Sequence, residues 1–164
     1  MRFKYVSSLF IFTVLISTAN SQTLKLWTWD SYNMKFRIPD NMTVVYNDDT
    51  RFEATNTVIT LDIYPRKGEN LTYSGMKNAI VRWAAQEQLV YNDYNSSNES
   101  QPIYMKNLNG YWGCAIDGEK AANPASMLLL VNPDNPDISL YVWIAYKNNN
   151  YQDVMQILKS FQPM

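Results

Sequence analysis

Apolar side chains recur at every second position over residues 57–64, where Ile59, Leu61 and Ile63 point one way and Thr60 and Asp62 the other. That period predicts a strand with one buried face, ended by Pro65-Arg66-Lys67-Gly68. Shorter strands are expected over 34–38, which stops at Pro39, over 43–46, closed by the turn-forming Asn47-Asp48-Asp49, and over 51–54. Residues 24–29 read only as an extended lead-in. The period then changes: Met76, Ala79, Ile80, Trp83, Ala84, Val90 and Tyr91 fall at helical spacings, with Lys77, Arg82, Gln86 and Gln88 elsewhere around the axis. Thr72 or Ser74 is placed to cap this helix.

A polar and mobile loop is expected over 92–101, and four strands follow. Residues 103–108 meet 111–116 through Asn109-Gly110, the pair that most readily supplies positive φ for a type I′ hairpin turn. Asp117-Gly118 is expected to open a longer loop through Asn123-Pro124. Residues 127–131 are apolar on both sides, so this strand belongs in the middle of a sheet with both faces covered. The run Asn132-Pro133-Asp134-Asn135-Pro136-Asp137 reads as a turn into 138–146, where Ile138, Leu140, Val142 and Ile144 oppose Tyr141, Trp143 and Ala145. Together these strands predict an antiparallel meander. The chain closes on a helix whose apolar face is Tyr151, Val154, Met155, Leu158 and Phe161, with Asn150 as its cap and Asp153 in its first turn.

The N-terminus has a different grammar. Arg2 and Lys4 precede a short apolar run over 9–16, followed by Ala19-Asn20-Ser21, the small-x-small pattern of a signal-peptidase site. A secretory signal over residues 1–21, cleaved after Ser21, leaves one α+β domain over 22–164, secreted or periplasmic. The run is too short to span a bilayer, so no transmembrane segment is expected after cleavage. Charged residues are 18% of the chain and acids are in slight excess, which gives no footprint for nucleic acid or anionic lipid. Asn41, Asn70, Asn95 and Asn98 match the N-glycosylation pattern, as chance alone allows in so Asn-rich a chain.

Histidine is absent and Cys114 is the only cysteine. Ser-His and Cys-His nucleophile pairs, imidazole metal sites and an internal disulfide are therefore excluded. Cys114, within Trp112-Gly113-Cys114-Ala115-Ile116, reads as a small buried hydrophobe. Phosphate-loop and hydrolase-elbow motifs are missing. Asp93 with Glu99, and Asp117 with Glu119 around Gly118, are the carboxylates that a hydrolase needs, although solvated loop charges are the plainer reading. Asp134, Asp137, Asn132 and Asn135 offer oxygens to calcium but read better as turn initiators.

A long strand, a helix, a four-strand meander and a last helix ending Ile157-Leu158-Lys159-Ser160-Phe161 together resemble the PsbP-like family, over roughly residues 32–161. The resemblance implies an antiparallel β-sheet sandwiched by helices, and a role in binding or supporting another protein rather than a shared reaction. It transfers no site residue. On this reading the protein is a non-enzymatic exported domain without a cofactor, whose partner is an unknown envelope or secreted protein. The alternatives are a carbohydrate- or lipid-binding module using exposed Tyr and Trp, and a carboxylate-dependent hydrolase. Tyr111, Trp112, Tyr141 and Trp143 are the candidate interaction surface, unless they form a second core beneath a helix, which the central strand favours.

Overall fold

A computed structural model describes residues 23–95 and 97–164, so the signal peptide read over 1–21 lies outside the described residues. The elements in chain order are β1 (Leu24–Trp29), β2 (Met34–Pro39), β3 (Thr43–Asn47), β4 (Phe52–Thr55), β5 (Ile59–Lys67), α1 (Met76–Gln86) and β6 (Ile103–Leu108). They continue with β7 (Tyr111–Lys120), β8 (Asn123–Asn132), β9 (Asn135–Tyr146), α2 (Tyr151–Leu158) and β10 (Gln162–Pro163). Seven strands form one antiparallel sheet in the order β3-β4-β5-β9-β8-β7-β6, and β1, β2 and β10 form a second, smaller one.

The two-sided apolarity of β8 organises the layers. Met127, Leu129 and Val131 enter one core, where Met76, Ala79, Ile80 and Trp83 of α1 lie over Cys114 and Ile116. Leu128 and Leu130 enter the other, with Val154, Ile157 and Leu158 of α2 and with Met34, Phe36 and Ile38 of β2. Successive strand residues face opposite sides, so one run of apolar residues serves two cores. The expectation of a central strand covered on both faces holds, as do the meander β6-β7-β8-β9 and the outward Asp62 of β5. The smaller sheet has no clear period in the sequence; β1 is a true strand, paired residue for residue from Leu24↔Pro39 to Trp29↔Met34.

Turn chemistry decided some joints and the ladder decided others. Asn109 (φ 52°) and Gly110 (φ 104°) make the expected two-residue turn between Leu108 and Tyr111. Asn109 also ties down the C-terminus, since its Nδ2 donates to the carbonyls of Lys159 at 2.7 Å and Phe161 at 3.0 Å. The next joint differs from expectation. β7 runs on through Asp117-Gly118 to Lys120 and turns at Ala121 (φ 50°) and Ala122 (φ 63°), without the loop read through Asn123-Pro124. Left-handed alanines are costly in isolation; here an unbroken ladder with β8, from Trp112↔Val131 to Lys120↔Asn123, holds them there. Between β8 and β9 only Pro133-Asp134 turn, and Asn135 already pairs with Asn132. β5 likewise passes through Pro65, because beyond Phe52↔Ile63 it has only β9 as neighbour and a missing N–H is tolerated at an open edge.

Both helices are shorter than their patterns. α1 ends at Gln86, Gln88 is left-handed (φ 57°), and Val90 leaves the apolar face to stand 73% exposed. The cause lies in β7. β6 pairs with it only from Ile103↔Ala115 to Leu108↔Tyr111, so the end of β7 beyond Ala115 lacks a neighbour on that side. Val90 fills part of the vacancy, exchanging N–H···O bonds with Glu119 at 2.9 and 2.8 Å. Gln101 fills the rest with its side-chain amide: Oε1 accepts from the Asp117 N–H at 2.6 Å, and Nε2 donates to the carbonyls of Asp117 and Asn92 at 3.0 Å each. The segment expected to be a mobile loop is therefore anchored, and Gln101 is buried. Thr72 caps not α1 but the 3-10 turn over Tyr73–Gly75 that leads into it, accepting from the Gly75 N–H at 3.2 Å, and α1 itself has no side-chain cap. Asn150 does not cap α2; its amide instead donates to Asn149 Oδ1 at 2.8 Å. On α2 the buried set is Asp153, Val154, Ile157 and Leu158, with Tyr151 and Met155 only partly covered.

Phe161, fully buried and stacked on Phe36 at 5.1 Å between centroids, joins the C-terminus to the smaller sheet. Phe161→Ala is expected to cost about 3–5 kcal/mol in urea unfolding. Val90→Ala, at a position equally apolar in sequence, should stay within about 0.5 kcal/mol of the parent.

Candidate interaction face

α1 packs over β7 and β8, so among the described residues the β3–β4–β5 side of the same sheet face has no helix above it. Tyr46 on β3, Glu53 on β4, Asp62 on β5 and Trp143 on β9 are successive cross-strand partners and form one row there. Arg51, one residue before β4, projects onto that row. Its guanidinium lies 4.4 Å from the centroid of Tyr46 and 5.8 Å from that of Tyr64, and it pairs with Glu53 and, at 3.3 Å, with Asp62. Tyr46 is 47% exposed and Tyr64 38%.

The turn that the sequence marks at Asn47-Asp48-Asp49 aims this arginine. Asp48 Oδ1 accepts from Thr50 Oγ1 at 2.6 Å, from the Thr50 N–H at 2.8 Å and from the Arg51 N–H at 3.0 Å. The Thr50 hydroxyl, then the two backbone donors, hold the Asp48 carboxyl below its ordinary range. Burial pushes Asp62 the other way, and the Arg51 charge offsets that only in part. The cluster thus holds one guanidinium against two carboxylates, a pre-organised, partly dried set of charges framed by two aromatic rings.

The four aromatic residues singled out in the sequence do not share one surface. Tyr111 is buried in the α2-side core, where burial pushes its hydroxyl up to about 12. Tyr141 is buried beneath α1, edge-on to Trp83 at 5.1 Å. Its hydroxyl donates to Glu69 at 2.8 Å and its ring lies 4.1 Å under Arg66, with burial driving the hydroxyl far above its ordinary value. Trp112 and Trp143 are half-buried at the rim of the same core, Trp112 against Tyr73 at 6.0 Å and Trp143 beneath Lys120 at 5.2 Å. Only Trp143 reaches the open row. Arg51, Tyr46 and Tyr64 were not legible as a group, since three strands bring them together; the outward Asp62 was their one visible sign.

Of the four carboxylates weighed, Asp93, Glu99 and Glu119 are exposed and Asp117 is half-buried on the α2 side of β7. Ser126 Oγ donates to Asp117 at 2.6 Å, and the Tyr151 hydroxyl lies 3.5 Å away. Burial raises the Asp117 carboxyl above its ordinary range, the two hydroxyls lower it by less, and Glu99 adds to the rise. In the turn read as a possible calcium site, Asn132 Oδ1 accepts from the Asp134 N–H at 3.0 Å. Among the described residues no three Asp, Glu, His or Cys side chains gather as metal ligands, and no helix is long and apolar enough to cross a membrane. Cys114 is fully buried, and its thiol is pushed up to about 12.

The native Asp117 carboxyl binds its proton more tightly than the unfolded chain does. Its contribution to stability is therefore lost as pH rises from the ordinary 3.8 through the raised native value. Asp117→Asn should flatten that part of a plot of urea midpoint against pH. The Cys114 thiol should resist Ellman's reagent at neutral pH in the native protein and react with one equivalent once the chain is unfolded.

No protein-family model matches the chain, and no curated protein matches it. A solved crystal structure from Bacteroides thetaiotaomicron VPI-5482, at 1.50 Å resolution, is similar over 88% of this chain and 49% of that chain, with a TM-score of 0.47 and 10% sequence identity. The present chain therefore spans about half the length of the one it resembles.

Proposed function

We propose that this protein is an exported, non-enzymatic α+β domain that binds or supports another envelope or secreted protein, and that the open β3–β5 face is its contact surface. The observation that carries the reading is the Arg51 cluster: an arginine fixed between two carboxylates and two exposed tyrosines, on the part of the sheet that α1 leaves uncovered. Arg and Tyr are the residues that most often dominate the energy of a protein interface, and a side chain already held in place gives up little conformational freedom on binding. Arg51 engages both rings, which favours a protein partner over a stacked sugar. Export is supported by Arg2, Lys4, the apolar run over 9–16 and Ala19-Asn20-Ser21, with cleavage after Ser21. The finer fold assignment belongs to the same proposal: an antiparallel sheet sandwiched by helices, in the PsbP-like manner. Its support is α1 on one face, α2 on the other, and the meander between them.

The test is affinity capture from the exported fraction of the source cells, with Arg51→Ala and Tyr46→Ala proteins run beside the parent. One identified protein should be retained by the parent and lost by about ten-fold or more with each variant, whose melting temperatures stay within a few degrees of the parent's. A parent that retains nothing the variants do not also retain would sink the proposal.

A further inference from the structure

At the unpaired end of β7, the segment over 89–95, the ends of β7 and β8 and the start of α2 enclose a cavity of about 350 Å³. Tyr94, Tyr146 and Tyr151 line it, Tyr91 borders it from the α1 side of the sheet, and the carboxyl-bearing residues on it are Asp117 and Glu119. No lysine or arginine among the described residues lines it. Among the described residues neither Asp117 nor Glu119 takes part in an ion pair, so no cationic side chain among them neutralises the negative charge facing this space. Tyr146 and Tyr151 stand 6.3 Å apart at 42°, two sides of an open corner.

We infer that this cavity is a binding site for a small organic cation of the quaternary or alkyl ammonium class. Aromatic faces attract a cation through the ring quadrupole, most strongly where water is displaced, and unneutralised carboxylates add charge complementarity. The site is built rather than incidental. Gly118 permits the close approach of the far wall, since a Cβ there would lie 2.4 Å from the Val90 carbonyl oxygen and 3.0 Å from the Tyr91 Cβ. The Gln101 amide is wholly spent on holding Asn92 and Asp117. Asn95 is spent too, its Oδ1 accepting from the Ser97 and Glu99 N–H groups and its Nδ2 donating to Glu99. The cavity therefore offers few free amides to sugar hydroxyls and a full set of rings and carboxylates to an ammonium group. Tyr151 stays a neutral ring, its hydroxyl pushed up to about 12 chiefly by burial and then by the Asp117 charge.

The probes are choline and its uncharged carbon isostere, in which a tert-butyl group replaces trimethylammonium, titrated into the protein and followed by calorimetry and ligand-observed NMR. Choline should bind saturably and at least about ten-fold more tightly than the isostere. Tyr94→Ala, a change at a 59% exposed ring, and Glu119→Gln should each weaken choline about three-fold or more without moving the melting temperature. Arg51→Ala should leave choline binding unchanged, which separates this site from the proposed protein contact. Equal binding of the isostere, indifference to both cavity variants, or no saturable binding of choline would each overturn the inference.

Discussion

β8 has no polar face, and the rest of the structure follows from where it must sit. A strand with apolar residues on both sides is stable only with a layer on each, and every such side chain removed from water contributes roughly 1.5–3 kcal/mol. Met127, Leu129 and Val131 require α1, while Leu128 and Leu130 require α2 and the smaller sheet. β9 divides in the same way, with Leu140, Val142 and Ile144 on one side and Tyr141 and Trp143 on the other. The central pair thus fixes the position of both helices without any disulfide, in a chain whose single cysteine is buried.

The peripheral strands show what happens where pairing runs out. β6 covers only part of β7, and an uncovered strand edge in a partly buried position needs its N–H and C=O groups satisfied. Val90 and Gln101 supply those bonds from a segment with no strand pattern. In doing so they draw Tyr91 and the residues around it over the end of β7 and close off the tyrosine-walled cavity. An unpaired edge is thereby turned into a binding wall.

On the other side of the molecule the asymmetry is one of coverage. α1 has eleven residues and overlies β7 and β8, so it does not extend over β3, β4 and β5. The exposed side of those strands carries Arg51, Glu53, Asp62, Tyr46 and Tyr64, a composition that water tolerates and that a protein partner can dry. The two candidate sites share no residue; one is organised by an arginine and the other by tyrosines and carboxylates.

Local pattern alone determined the elements whose signals are local. The alternation of β5, the helical period at Ile80, the Asn109-Gly110 turn and the two-sided apolarity of β8 were all legible, because backbone geometry ties each to a fixed spacing of residues. The lack of histidine and the lone Cys114 likewise excluded whole classes of chemistry from composition. Tertiary structure decided the remainder. The end of α1, the left-handed Ala121-Ala122 turn, the passage of β5 through Pro65 and the anchoring of Gln101 all depend on which neighbour a strand has at that point. Both candidate sites are of this second kind. Arg51 meets Tyr64 through the register of β4 on β5, and Tyr91 shares a cavity with Tyr151 through segments distant in the chain, and spacing in a sequence records neither placement.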